Sequence, residues 1–534
     1  MYPGALTPTI SFNQMIDGWE WGYYPNSNFF DPDAFVSAAS MILSGEPRLQ
    51  EEARDVFMYS LRAMKDNLVP HHFATESKAR NMIRRPAFNA LSGARQPGPN
   101  FFTVLTAIYY VKYSGDYDWL CENYYLVHDA TKYVFEMIDK KVGLVRADGP
   151  LMIDTLRREG YTGDTNAFMI GYFHILADVY ADYIKLVERG GMSCRWVEKI
   201  ITLLYREDNA FLLTRSAPCS QGEIFFLFFV YLFIFFPIHP TLDNLGQCSQ
   251  REGKLQGMVA WVTQLRETAT TANNTMNEML WKTDHYVSMR TRREVQDMGD
   301  HDTNFLAIAF GISNPARSEK IVEFMSKSKC PHCPSQKYYA SNDCYGGNTG
   351  DSDVRLARIA LADAWARHRM RDEKGLNQLL DGIDEELKAS VWMYERYKCP
   401  GSNYANIGEH SPYFFEWPSV YTIGTVTLRY GINLGLATWE VYPLGRSSYL
   451  YLTPTILVAY DAEKGVALCA PGPVIKRKVI LKGLAKQTEY ILHTHDQSGG
   501  LSLVSSADGT LSFEATTGKG TCVSAVRASD LIAA

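Results

Sequence analysis

The chain has 534 residues, with 53 basic against 59 acidic side chains, 46% hydrophobic and 13% aromatic residues. At about 100 to 200 residues per domain, that is one large domain with an accessory or three modest ones, and enough chain to bury a sizeable core. A formal charge of -6 gives no global positive field for a phosphate backbone, which disfavours non-specific nucleic-acid binding and points to a small, uncharged or locally polar ligand.

The start, MYPGALTPTISF, lacks the charged region and apolar run of a secretory signal and enters domain-like sequence at once, so a truncated start is expected. The cellular location is left open, with secretion considered only through the resemblance given below. Ten cysteines are too dilute for a disulfide scaffold and do not decide the compartment. Asn273-Asn274-Thr275 is a glycosylation sequon of the kind that chance supplies in a chain of this length.

In chain order, a unit recurs: an apolar helical stretch, a short turn with Gly or Asp, then a second helix. The turns fall at Gly45, Gly115, Gly190, Gly311, Asp372 and Gly431. Each first helix carries apolar residues at i, i+3, i+4 and i+7, and the turn glycine is the expected C-terminal stop. Six hairpins predict a mainly α fold, an (α/α)6 toroid in which an inner ring of helices is wrapped by an outer one. A plain superhelical solenoid is the alternative. Short alternating runs separated by Gly, Asp and Ser turns follow Trp439, which predicts a small β-sandwich. The expected domains are therefore residues 1–438 and 439–534.

Ile224 to Phe236 is an unbroken apolar run closed by Pro237 and Pro240. It is short of the roughly 18 to 20 residues that cross a bilayer as a helix, so no membrane span is expected. A buried core strand is one reading. The other starts from its Phe/Leu/Ile composition, which is that of a translated polypyrimidine tract near the 3′ end of an intron. The interval from Gly190 to Gly311 is also far longer than its neighbours, and the excess falls on this run. Residues near 207–257 are thus expected to be a non-native insertion.

Long connections between hairpins hold the chemistry: Phe12 to Asp31, Asn67 to Asn100, Lys141 to Asp164, Asp284 to Asp302, Pro331 to Asp353 and Trp392 to Trp417. Long connections in a compact domain are usually functional, and in a closed toroid they share one funnel. Aromatic rings with paired carboxylates suit carbohydrate chemistry, because pyranose faces stack on rings and glycosidic cleavage needs one protonated and one ionised carboxyl. Trp19, Trp21, Asn26 and Asn28 lie in GWEWGYYPNSNFF, either as sugar contacts or as an aromatic plug. Asp154 follows the apolar Leu151-Met152-Ile153, surroundings that raise a carboxyl pKa as a general acid requires. Arg157, Asp164 and Asn166 follow, and Asp164 is equally a good helix cap. Glu395, beside Tyr394, Arg396 and Tyr397, fits the base that activates water; Glu409 is the next choice, and Glu416 reads as packed beside Trp417.

Asp297, Asp300 and Asp302, and likewise Asp351 and Asp353, are spaced like calcium ligands. They lack the remaining oxygens and the terminal Glu, so helix capping or sugar contact is expected, with no metal. Cys330 and Cys333 form one CxxC with Cys344 the nearest additional candidate, short of a four-ligand zinc site.

These residues resemble the six-hairpin glycosidase superfamily over roughly residues 10 to 435. Met152-Ile153-Asp154, followed by Asp164-Thr165-Asn166-Ala167, is similar to the family's Trp-Met-Asp loop and acidic-x-Asn-Ala helix start. VWMYERYKCPG is similar to its late Trp-Glu-Arg-Trp segment. The resemblance implies inverting hydrolysis without a cofactor, with Asp154 as acid and Glu395 as base. Leu151 stands where the family has Trp, and Pro25-Asn26-Ser27-Asn28 replaces an Arg-Asp pair, which bears on the choice of sugar. A glycoside phosphorylase, with Arg157 and Arg158 as phosphate donors, and a non-catalytic glycan-binding protein are the alternatives. The spliced transcript is expected to lack the codons for residues near 207–257; sequencing it checks this, and finding them in the mature message refutes the insertion.

Overall fold

The computed structural model describes residues 27–78, 81–89, 93, 95–147, 149, 151, 159–188, 241–297, 299–327, 342–343, 354–389, 396–398, 408–409, 416–495 and 497–531. Helices α1 (Asp31–Leu43) and α2 (Pro47–Arg62) form the first hairpin, and α3 (Gly98–Ser114) and α4 (Tyr117–Glu136) the second. The third unit has α5 (Gly163–Glu188) and α6 (Thr241–Met279); Gly190 and the apolar run lie outside the described residues. Then come α7 (His301–Ala309), α8 (Pro315–Lys327), α9 (Ala357–Met370), α10 (Glu373–Ala389) and α11 (Glu416–Ile423), which runs on as a π-helical turn, Gly424–Arg429.

Hairpin turns fall at Gly45, Gly115, Gly311 and Asp372 as the sequence predicts. Gly115 shows why: its φ is 75° and its N–H caps the Val111 carbonyl. Asp116 then accepts the N–H of Trp119 at 3.1 Å and starts α4. The sixth unit departs from expectation. Gly431 is left-handed, but a strand follows it in place of a second helix.

The first helices of successive units pack on one another: α1 on α3, α3 on α5, α5 on α7, α7 on α9, α9 on α11, and α11 back on α1. Each of α2, α4, α6, α8 and α10 lies against its own partner. Burial follows this division. Helix α5 is buried from Gly163 through Phe173, whereas α10 buries Leu376, Leu379, Leu380, Ile383 and Leu387, a single stripe. In α6 the stripe runs Met258, Trp261, Val262, Leu265, Ala269, Ala272 and Met276.

Among the described residues, three small sheets lie within the expected connections or, for one strand after Asp353, immediately beside them. β1 (Ser27–Phe30), β2 (His72–Lys78) and β3 (Asn81–Ala87) form one. β4 (Tyr161–Thr162), β5 (Met289–Arg290) and β6 (Val295–Gln296) form another. The third has β7 (Asn342–Asp343), β8 (Val354–Leu356), β9 (Arg396–Lys398) and β10 (Gly408–Glu409). Each ties together connections that are distant in sequence.

The C-terminal strands begin at Ile432, ahead of the change expected at Trp439. One sheet has the order β11 (Ile432–Leu434), β12 (Thr438–Val441), β16 (Ile475–Leu481), β19 (Leu511–Thr517). The other has β13 (Ser448–Leu452), β14 (Leu457–Asp461), β15 (Gly465–Cys469), β20 (Cys522–Arg527), β17 (Glu489–Thr494), β18 (Gln497–Val504). A last short helix, α12 (Ala528–Leu531), follows. Val479 and Leu481 from one sheet and Val458, Leu468 and Leu492 from the other are buried in one apolar cluster. Cys469 and Cys522, directly opposite across β15 and β20, form a disulfide; Cys121 is also disulfide-bonded.

The strands cover the end of the helices where the hairpin turns lie. Tyr451 donates to the Leu43 carbonyl, Thr455 Oγ1 donates to the Gly45 carbonyl at 3.1 Å, and a Cβ on Gly115 would come within 2.2 Å of the Gly472 backbone. Arg477, fully buried, donates to the carbonyls of Leu436 at 2.9 Å and Pro473 at 3.1 Å and to Tyr117 Oη at 3.3 Å. Its guanidinium also lies 4.9 Å from the Trp439 ring. Removing that fork leaves several buried acceptors unpaired, each costing about 1–3 kcal/mol. Arg477→Met is expected to lower stability by roughly 3 kcal/mol, read as a fall in the urea midpoint.

Candidate active site

With the hairpin-turn end covered, the opposite end is left to the first-helix N-termini and the long connections. Several predicted residues lie outside the described residues: Asp154, Arg157, Trp19, Trp21, Asn26, Asp351 and Glu395. Their flanks are described. Leu151 immediately precedes the Met152-Ile153-Asp154 segment. Arg396, next after Glu395, sits in β9 opposite Leu356, the residue before α9 begins. Tyr397 lies opposite Arg355 and Gly408, and Glu409 opposite Arg396. Asn28 lies in β1, which pairs with β2. A described residue beside each candidate segment is therefore attached near a first-helix start, Leu151 at α5 and Arg396 at α9.

Asp164 and Asn166 occupy the first turn of α5, where four N–H groups have no helical acceptor. Asp164 is buried; its Oδ1 accepts the Thr165 N–H at 2.7 Å and its Oδ2 the Leu151 N–H at 2.5 Å. Asn166, expected to touch sugar, is buried with its amide on backbone groups. It accepts the Val145 N–H at 2.7 Å and donates to the carbonyls of Val145 at 3.0 Å and Thr162 at 2.8 Å.

The same device recurs where the sequence reading missed it. Asn304 accepts the Tyr286 N–H at 2.8 Å and donates to the Tyr286 and Asp300 carbonyls at 3.1 and 2.8 Å. Asn100 accepts the Val69 N–H at 3.2 Å and donates to the carbonyls of Asn67 and Ala130, both at 2.8 Å. Asp302 Oδ1 accepts the Thr303 N–H at 2.6 Å, as Asp164 does from Thr165. The readable signal was Asp-Thr-Asn, present at both 164–166 and 302–304.

Side chains from different units also meet. Arg358 of α9 lies 3.8 Å from Glu416 of α11, both buried. Ser40 of α1 shares a 3.0 Å hydrogen bond with Ser419. Glu416, read as packed beside Trp417, is thus also an ion-pair partner. His71 Nδ1 stands 3.0 Å from His72 Nδ1. Burial, with His72 and the Arg358 charge adding to it, pushes His71 down to about 3. Burial alone takes His301 to about 4, and its Nδ1 has no hydrogen-bond partner.

The Asp297–Asp302 segment divides its work. Burial would raise Asp297, but Lys282 at 2.8 Å and His285 Nε2 at 2.9 Å outweigh it and hold the carboxyl below its usual range. Asp300 precedes α7 without a side-chain capping bond. Among the described residues no group of three or more His, Cys, Asp or Glu side chains could hold a metal ion, and no helix is long and apolar enough to cross a membrane.

No protein-family model and no curated protein matches the sequence. Among solved structures, the chain is similar to a GH78 family rhamnosidase of Bacillus sp. GL1 at 12% identity, covering 85% of this chain and 39% of that one, TM-score 0.49. It is similar to a GH63 mannosylglycerate hydrolase from Thermus thermophilus at 13% identity, covering 79% of this chain and 100% of that one, TM-score 0.45. A neutral trehalase from Saccharomyces cerevisiae is 10% identical over 74% of this chain and 71% of its own, TM-score 0.41. All three are six-hairpin glycosidase superfamily members. The chain spans well under half the length of the Bacillus rhamnosidase.

Two of the depressed histidines, His71 and His301, contribute a pH dependence. Folded His71 and His301 stay neutral down to about 3 and 4, while in the unfolded chain they take protons below about 6.5. Their contribution is therefore complete above pH 6.5 and is lost as the pH falls, at roughly 1.4 kcal/mol per pH unit for each. Urea midpoints measured from pH 7 to 4 are expected to fall, and His301→Gln should flatten that slope.

Proposed function

We propose that the chain is a glycoside hydrolase built on an (α/α)6 toroid, cleaving by single displacement with inversion at the anomeric carbon. The observation that supports the reading is the return of α11 to α1, together with described strands of the long connections that lie beside first-helix starts. Asp154 is the general acid and Glu395 the base. Asp154 gives its proton to the glycosidic oxygen as the C1–O bond breaks, and a water activated by Glu395 attacks C1 from the other face. Inversion asks for about 6.5–9.5 Å between the two carboxyls, room for that water. Trp19, Trp21, Asn28 and Tyr397 supply stacking and amide contacts, while Arg157, Asp351 and Glu409 face the sugar hydroxyls. The attachment of both flanking segments to first-helix starts supports a shared mouth.

A screen of aryl glycosides identifies the sugar. On the substrate found, Asp154→Asn and Glu395→Gln are each expected to lower kcat by about 10²–10⁴-fold while ligand affinity persists, and NMR should show the first product with inverted configuration. Hydrolysis left intact by both substitutions overturns the assignment. A chain that binds glycan with no turnover to lose is a lectin-like protein.

A further inference from the structure

The first turn of α5 grips one connection at two points. Asn166 clamps Val145 through both its N–H and its carbonyl, and Asp164 takes the N–H of Leu151 at 2.5 Å. The turn that does the gripping is itself wedged. A Cβ on Gly163 would come within 2.3 Å of Thr303 Cγ2, and one on Gly171 within 2.1 Å of the Phe310 ring, so α5 and α7 are in close contact along this stretch. A carboxylate accepting a backbone N–H makes a short, charge-assisted bond, roughly twice as strong as a neutral one. Leu151 is the last residue before the segment that carries Asp154, and three residues of chain span at most about 10 Å.

We infer that Asp164 is a positioning residue for the general acid, fixing the root of the Asp154 segment through the Leu151 N–H; this rests on the assignment of Asp154 made above. Asp164 itself is buried and acts through the chain, without touching the sugar. The Asp-Thr-Asn turn at 302–304 makes the same asparagine clamp on Tyr286, so that clamp belongs to the fold. What is particular to α5 is a carboxylate bonded to the root of the segment with the candidate acid. A displacement of about 1 Å in a reacting group costs on the order of 10²-fold in rate.

The test uses the need for a proton. A phenyl glycoside leaves only when its oxygen is protonated, whereas a 2,4-dinitrophenyl glycoside of the same sugar leaves as a stable anion. Asp164→Asn is expected to lower kcat about 10–100-fold on the phenyl substrate, by less than about threefold on the dinitrophenyl one, and to leave KM nearly unchanged. Asp164→Glu, which keeps the charge, should recover part of the loss. It also supplies the same comparison if the Asn variant does not fold. Equal loss on both substrates, or a raised KM with kcat unchanged, overturns the inference. Asp154→Asn is run beside it. If that variant lacks the leaving-group selectivity, the acid assignment fails; if it has the selectivity and the Asp164 variants lack it, only the positioning role fails.

Discussion

A helix buried on all sides carries four N–H groups at its start that no backbone carbonyl of the helix can accept, and in an interior each must find an oxygen. This constraint shapes the end of the molecule where the chemistry is proposed. Helix α5 meets it with Asp164, and α7 with Asp302, each accepting the N–H of the next residue. The asparagines of these turns face the other way and pair the returning chain at Val145 and Tyr286. Helix start and connection are therefore held by one short run of side chains, and a connection attached at a helix start has a defined position despite its length.

The hairpin turns were legible because left-handed backbone restricts the choice of residue: Gly45, Gly115 and Gly311 all have positive φ. The alternating strands of the C-terminal sheets were legible for a similar reason, with β16 burying every second residue from Ile475 to Leu481. The sixth unit misled, since Gly431 closes a helix before a strand with the same geometry that elsewhere precedes a helix. Strands such as β4 and β5, two residues each, are too short to show any period, so the connections read as loops.

Within the candidate site, Asp164 stood out because an acid before an apolar helical run has few other uses. Asn166 stood out too, yet its chemistry was misread, because an amide suits a sugar hydroxyl and a peptide group equally well. The Arg358–Glu416 pair left no local trace. Its partners come from two different units, and only the packing of α9 on α11 brings them together. Glu416 was noticed only for the tryptophan beside it.

The contact between α1 and α11 has a bearing on biosynthesis. Ser40 and Ser419, which touch across that seam, are separated by 379 residues. A ribosome must therefore release nearly the whole helical region before the first helix can meet its last neighbour, and until then one flank of α1 has nothing to cover it. Contacts this far apart slow folding, and exposed apolar surface in a half-made chain invites aggregation. Chaperone demand should therefore peak late in translation and fall once residues 416–429 emerge.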